Sequence, residues 1–240
     1  SRGSTTAYCL EEILGQKVEK ERYLAGQTIR GVMCVLDAGE RARPITLHKG
    51  EILPVEPTTV ADKLGPGDIV IKGANALDAF GNVGVVMVNP AGGTMGSFYM
   101  GMKARGLEII YTVGLEKLIP SVEEAARYGG TMMIGKSIGC KAGLACVADG
   151  RPFTEIDALE ALFDVSAVHF ASGGWGGAEG AVTLIVEGPD EEVNRCMEFI
   201  EAKIKGEPAL PGVKGPCKTC PIGACNFKGK DDQDLPGYLK

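Results

Sequence analysis

A chain of 240 residues, 45% hydrophobic and 23% charged, is long enough to bury a substantial core in one large domain or two small ones. A net charge of −6 without a basic block argues against nonspecific nucleic-acid binding, and no apolar run approaches the ~20 residues that span a bilayer. There is no signal-peptide pattern at the start, and a chain of this size does not need its eight cysteines as disulfides; the expectation is a cytoplasmic protein whose clustered thiols serve metal or redox chemistry.

Ser1 to Gly3 are set aside as an end segment. Thr5 or Thr6 can cap a short helix with Cys9, Leu10, Ile13 and Leu14 at helical spacing, stopping near Gly15. Ile29 to Leu36 and Ile45 to Leu53 read as strands, and Thr58 to Leu64 as a helical turn. His48, between Leu47 and Lys49, reads as a surface or packing residue. Two apolar runs then follow, Ile69 to Ile71 and Val83 to Val88. The first ends in Lys72-Gly73-Ala74-Asn75, and the second in Asn89-Pro90-Ala91-Gly92-Gly93-Thr94 ahead of a helix from Ser97 to Arg105. In parallel sheets, ligands collect beyond the carboxyl ends of the strands, so both turns are candidates for one pocket. Bare N–H groups of Gly92, Gly93 and Thr94, the hydroxyl of Ser97 and the helix N-terminus suit an anion, with Lys72, Gly73 and Asn75 on the facing turn. The same residues also suit an ordinary strand-to-helix connection. Neither a Walker loop nor a dinucleotide fingerprint is present, so no nucleotide cofactor is expected.

Gly73-Ala74-Asn75, Gly81, Val83 to Val88 and Gly92-Gly93-Thr94 together resemble the superfamily of sugar-phosphate isomerases, CoA transferases, initiation-factor regulatory subunits and lactate-utilisation proteins. The resemblance implies an α/β fold and a small anionic ligand bearing phosphate or CoA. In the isomerases an acidic residue of the first turn takes part in catalysis, and here Asn75 stands in that place. An amide moves no protons at neutral pH, and Asp78 could substitute only if it reaches the same place. No glutamate sits in a context like the CoA-transferase nucleophile, so the resemblance assigns no reaction.

Leu107 to Val113 reads as a strand, and Ser121 with Glu124 as the capping box of a helix reaching Tyr128. Between them, Glu116 and Lys117 lie on a loop expected at a strand's carboxyl end, as acid/base or anion contacts or as a solvated pair. Thr131 to Ile134 is expected to close a first α/β domain, residues 1–135, built on a mostly parallel sheet with helices on both faces. From Gly135 small residues and two thiols, Cys140 and Cys146, introduce a lobe over 136–206. Its helix capped by Thr154, strands 167–171 and 182–187 and helix 190–205 follow a ferredoxin-like α+β pattern. The glycine-rich loop between these strands carries Trp175 and Glu179, the latter a candidate proton carrier; His169 reads as structural.

The tail, 207–240, holds Cys217, Cys220 and Cys225. Thiolates at CxxC spacing chelate zinc or an iron–sulfur cluster, and Cys140 or Cys146 would supply a fourth ligand; a disulfide or redox pair is the alternative. The leading reading is a protein that binds a small anionic metabolite, with an iron–sulfur or zinc accessory protein and a noncatalytic regulatory subunit as alternatives. A homo-oligomer is left open.

Overall fold

The structure is a computed structural model and describes residues 1–239. Helix α1 (Ser4–Leu14) ends at Gly15, whose φ of 62° is the left-handed conformation that stops a helix without steric cost. It buries Ala7 and Leu10, one turn apart, against Tyr23. The two long strands expected next are each folded back as a hairpin. β1 (Gly26–Ile29) pairs antiparallel with β2 (Val32–Val35), and β3 (Thr46–His48) with β4 (Glu51–Leu53). The reversals fall at Arg30-Gly31 and Lys49-Gly50, where all four residues have positive φ, as a two-residue hairpin turn of matching twist requires.

A short helix, α2 (Pro57–Val60), precedes β5 (Ile69–Gly73), β6 (Ala76–Leu77) and β7 (Val83–Met87). A π-helical stretch, Met95–Tyr99, then continues into α3 (Met100–Ala104), followed by β8 (Glu108–Thr112) and α4 (Val122–Tyr128). The chain goes on through β9 (Gly143–Val147), β10 (Arg151–Phe153), α5 (Glu155–Leu162), β11 (Ser166–Ser172), β12 (Val182–Glu187) and α6 (Asp190–Phe199). Neither Thr5 nor Thr6 caps α1, because the helix begins at Ser4 behind Gly3, which has no capping side chain, and both threonines lie inside it; the two later caps are side-chain caps. Ser121 accepts from the Glu124 amide at 3.0 Å, and Thr154 forms a capping box with Asp157.

The chain is thus a mixed α/β protein, but the expected mostly parallel sheet is only three strands wide, β10-β8-β5. The other sheets are antiparallel: β6-β7-β9 and the hairpins β1-β2, β3-β4 and β11-β12. β5 and β7 therefore lie in different sheets, and their two glycine turns are not the paired carboxyl ends of one parallel sheet. The boundary expected at residue 135 is crossed twice, since β9 pairs with β7 and β10 with β8. The main core joins these sheets around Tyr111, Val83 and Val113, with Met95 and Met102 contributed from α3 and the turn before it. Thr131 to Ile134 forms a turn instead of a strand, and Met132, 96% exposed, has no apolar surface to pair against. β11 and β12 pack with α5 and α6 around Leu159, Ala167 and Cys196 in a second, smaller core.

Candidate functional site

Three segments far apart in sequence meet at the β1-β2 hairpin. Residues 138–140 run alongside β2, where the Cys140 amide donates to the Met33 carbonyl at 2.8 Å and the Met33 amide to the Ile138 carbonyl at 3.3 Å. Gly139 makes this approach feasible: its φ is 98°, and a Cβ there would stand 2.1 Å from the Met33 carbonyl oxygen. On its other side the same segment pairs with the tail. Lys141 donates to the Ala224 carbonyl at 2.7 Å and Asn226 to the Gly139 carbonyl at 3.2 Å, setting Cys140 directly opposite Cys225.

The tail is held by more than these bonds. Leu235 and Leu239, each 4% exposed, pack on Val32 with Cys217 and Phe227 alongside, so it carries an apolar anchor that its Pro- and Gly-rich composition conceals. Gly215 donates to the Val35 carbonyl at 3.4 Å, and the Gln27 side chain to the Val213 carbonyl. The Cys217 carbonyl accepts from the amides of Cys220, at 3.3 Å, and Gly229, at 2.9 Å, which folds the CxxC segment into a turn.

The result is a cavity of about 20 Å³ lined by Cys34, Cys140, Cys217, Cys220 and Cys225. Lys214 and Lys228 also reach its wall. Burial, together with neighbouring thiols, pushes the Cys140 and Cys217 thiols above their ordinary range, and burial pushes Cys34 to about 11 against the opposing pull of Lys214. Among the described residues, no three His, Cys, Asp or Glu side chains already stand as a ready ligand group for an ion. Of the five thiols, sequence reasoning missed Cys34, which has no neighbouring cysteine in the chain to mark it. Cys146, the other option for a fourth ligand, lies on β9 opposite Gly84.

No family model, curated protein or solved structure matches the chain.

The remaining candidates are dispersed. Asp78 is 2% exposed and accepts four hydrogen bonds, from the amides of Phe80, Asn82 and Val122 and from the Asn82 side chain. Burial acts to raise its pKa, but these donors outweigh it and hold the carboxyl below the ordinary range. The Asn75 side-chain oxygen accepts from the Val86 amide at 3.0 Å, fixing the turn to β7. In the glycine turn, Gly92 donates to the Asn89 carbonyl at 2.8 Å and Gly96 to the Gly92 carbonyl at 3.2 Å, while the Ser97 hydroxyl reaches the Thr94 carbonyl at 3.4 Å. Gly73 ends β5, opposite Thr112. Glu116 and Lys117 pair with each other at 3.1 Å after β8. Glu179 accepts from the Gly177 amide within its own exposed loop, Trp175 is 88% exposed, and His169 contacts the Ser172 hydroxyl at 2.7 Å.

Lys72 differs from these. It is 6% exposed, has no anionic partner among the described residues, and burial lowers its pKa to about 8. A second cavity, of about 140 Å³, is lined by Tyr99, Lys103, Tyr111, Asp149 and Arg151. Its charges are internally matched, Lys103 and Tyr99 with Asp149 and Arg151 with Glu108, while the Tyr111 hydroxyl lies buried without a partner. Among the described residues, no helix is long and apolar enough to cross a membrane.

Proposed function

We propose that this chain is a thiol-coordinated metal-binding protein. A single soft ion, zinc in the first instance, is held among Cys34, Cys140, Cys217, Cys220 and Cys225 and clamps the tail to the β1-β2 hairpin. The observation that carries this reading is the convergence of five of the eight cysteines, from three distant segments, on one small cavity. Thiolates select zinc and iron–sulfur clusters over hard cations. A volume of about 20 Å³ exceeds the ~10–15 Å³ that one water-sized body needs, which suits a single ion. Four thiolates around a divalent ion leave two negative charges, and Lys214 and Lys228 offset them. Rotation of the thiols about χ1, a change of side-chain rotamer, is what would complete a tetrahedral set.

Metal analysis and an absorption spectrum of protein purified without oxygen test this. One zinc per chain is expected, lost on Cys217→Ser or Cys220→Ser. Fully reduced protein that takes up no stoichiometric metal from added zinc would refute the proposal.

A second reading rests on Lys72. A buried ammonium without a counter-charge is what a small phosphate- or CoA-bearing metabolite would neutralise. Asn75 and Asp78 take no part in it, because their oxygens are already engaged with backbone donors. Inorganic phosphate should then raise the melting temperature of the protein but not of Lys72→Met. Equal shifts in both would dismiss the anion site.

A further inference from the structure

We infer that Cys140 and Cys225 are the site of an intrachain disulfide formed under oxidising conditions, and that closing it discharges the metal. The disulfide stands on geometry alone; its consequence for the metal rests on the zinc site proposed for the same cavity. The hydrogen bonds flanking this pair run from Lys141 to Ala224 and from Asn226 to Gly139, so Cys140 and Cys225 occupy the non-hydrogen-bonded position of an antiparallel bridge. Side chains at that position approach more closely than at the hydrogen-bonded one, and Cα atoms so paired are typically about 4.5 Å apart. A disulfide needs a Cα separation of about 4.4–6.8 Å, so the backbone already meets the requirement. The ladder on either side fixes both Cα atoms.

The two thiols differ in accessibility. Cys140 is 4% exposed, whereas Cys225 is only partly buried and lies on the tail side of the cavity. With hydrogen peroxide as oxidant, the Cys225 sulfur attacks the O–O bond, giving a sulfenic acid and one water. The Cys140 sulfur then attacks the Cys225 sulfur, the S–O bond breaks, and a second water leaves. Peroxide gains two electrons, and the two thiols together lose two hydrogens. The disulfide sulfurs are no longer thiolates, so Cys34, Cys217 and Cys220 alone remain for an ion, one short of a closed site.

The pair is read first on metal-free, reduced, full-length protein. After peroxide treatment, alkylation of remaining thiols and proteolysis, mass spectrometry should find the Cys140 peptide linked to the Cys225 peptide. Cys225→Ser should abolish the link, and Cys140→Ser, should it fold, likewise. A dominant link between Cys217 and Cys220, or a reduced Cys140 beside an oxidised Cys225, would overturn the assignment. The zinc-loaded protein is then oxidised in the presence of a colorimetric zinc chelator. Zinc release in step with the cross-link is expected, with none from the same zinc-loaded protein incubated without peroxide. Cross-linking without release would refute the metal consequence and leave the disulfide standing, whereas a protein that never loads zinc would fail the zinc-site proposal alone.

Discussion

Replacing Asp78 by Asn removes a charge while keeping the side chain's shape, and the surrounding donors set its cost. Oδ1 accepts from the amides of Phe80 and Asn82, each at 3.0 Å, and Oδ2 from the Asn82 side chain and the Val122 amide, each at 2.9 Å. An amide has one oxygen, so whichever way the new side chain turns, its NH₂ faces two of these donors, which are buried or partly so. Each unpaired donor costs about 1–3 kcal/mol, for a total of roughly 3 kcal/mol, with the lost charge assistance acting in the same direction. In a chain of this length, 1 kcal/mol shifts Tm by about 2–4 °C, so a fall of roughly 6–12 °C is expected. Because the folded pKa of Asp78 lies below its ordinary 3.8, the carboxylate's stabilisation is full above that value and is lost as pH falls through the folded one. Urea unfolding followed by circular dichroism should therefore show a constant gap between wild type and Asp78→Asn around neutral pH, narrowing in strong acid. A variant within about 0.5 kcal/mol of wild type at neutral pH would refute the account, since that is the range of a surface substitution.

Lys72→Met should stabilise the ligand-free protein near neutral pH. A folded pKa of about 8 against 10.5 means that the unfolded chain binds more protons between those values, so wild-type stability rises with pH across that window, by about 3 kcal/mol. The variant's advantage should vanish above the window, and a pH-independent difference would count against the buried charge. Gly139→Ala should cost at least about 2 kcal/mol, from the left-handed backbone and the collision with Met33, and should loosen the thiol cavity. Gly223→Ala, where an added Cβ meets nothing within 4 Å, is its control and should be silent by thermal denaturation. Leu235→Ala should cost about 2–5 kcal/mol locally and open the metal-free tail to limited proteolysis beyond Gly206, where the metal-free wild type stays protected. Equal cleavage of both proteins would show that apolar packing does not hold the tail.

Local rules carried much of the fold. The caps at Ser121 and Thr154, the stop at Gly15, and the positions of β5, β7, β8, β11 and β12 follow from hydrogen-bonding side chains, glycine and β-branched runs, all interactions within a few residues. The CxxC spacing marked the tail as a second candidate site, behind the glycine turns, for the same reason. Strand partners were not legible. β7 turns away from β5 to pair with β6 and β9, and β9 comes from beyond residue 135, because pairing is set by which faces can be buried together, a property of the assembled chain. Asp78 and Asn75 looked like site residues in the sequence because a carboxylate or amide beside glycines also suits a ligand; only the backbone amides of Phe80, Asn82, Val86 and Val122 reveal that they hold turns together. Cys34 and Cys225 are 191 positions apart, and no spacing rule connects them. They meet because Gly139 allows one segment to approach Met33 on one side and the tail on the other, a contact that only tertiary structure could decide.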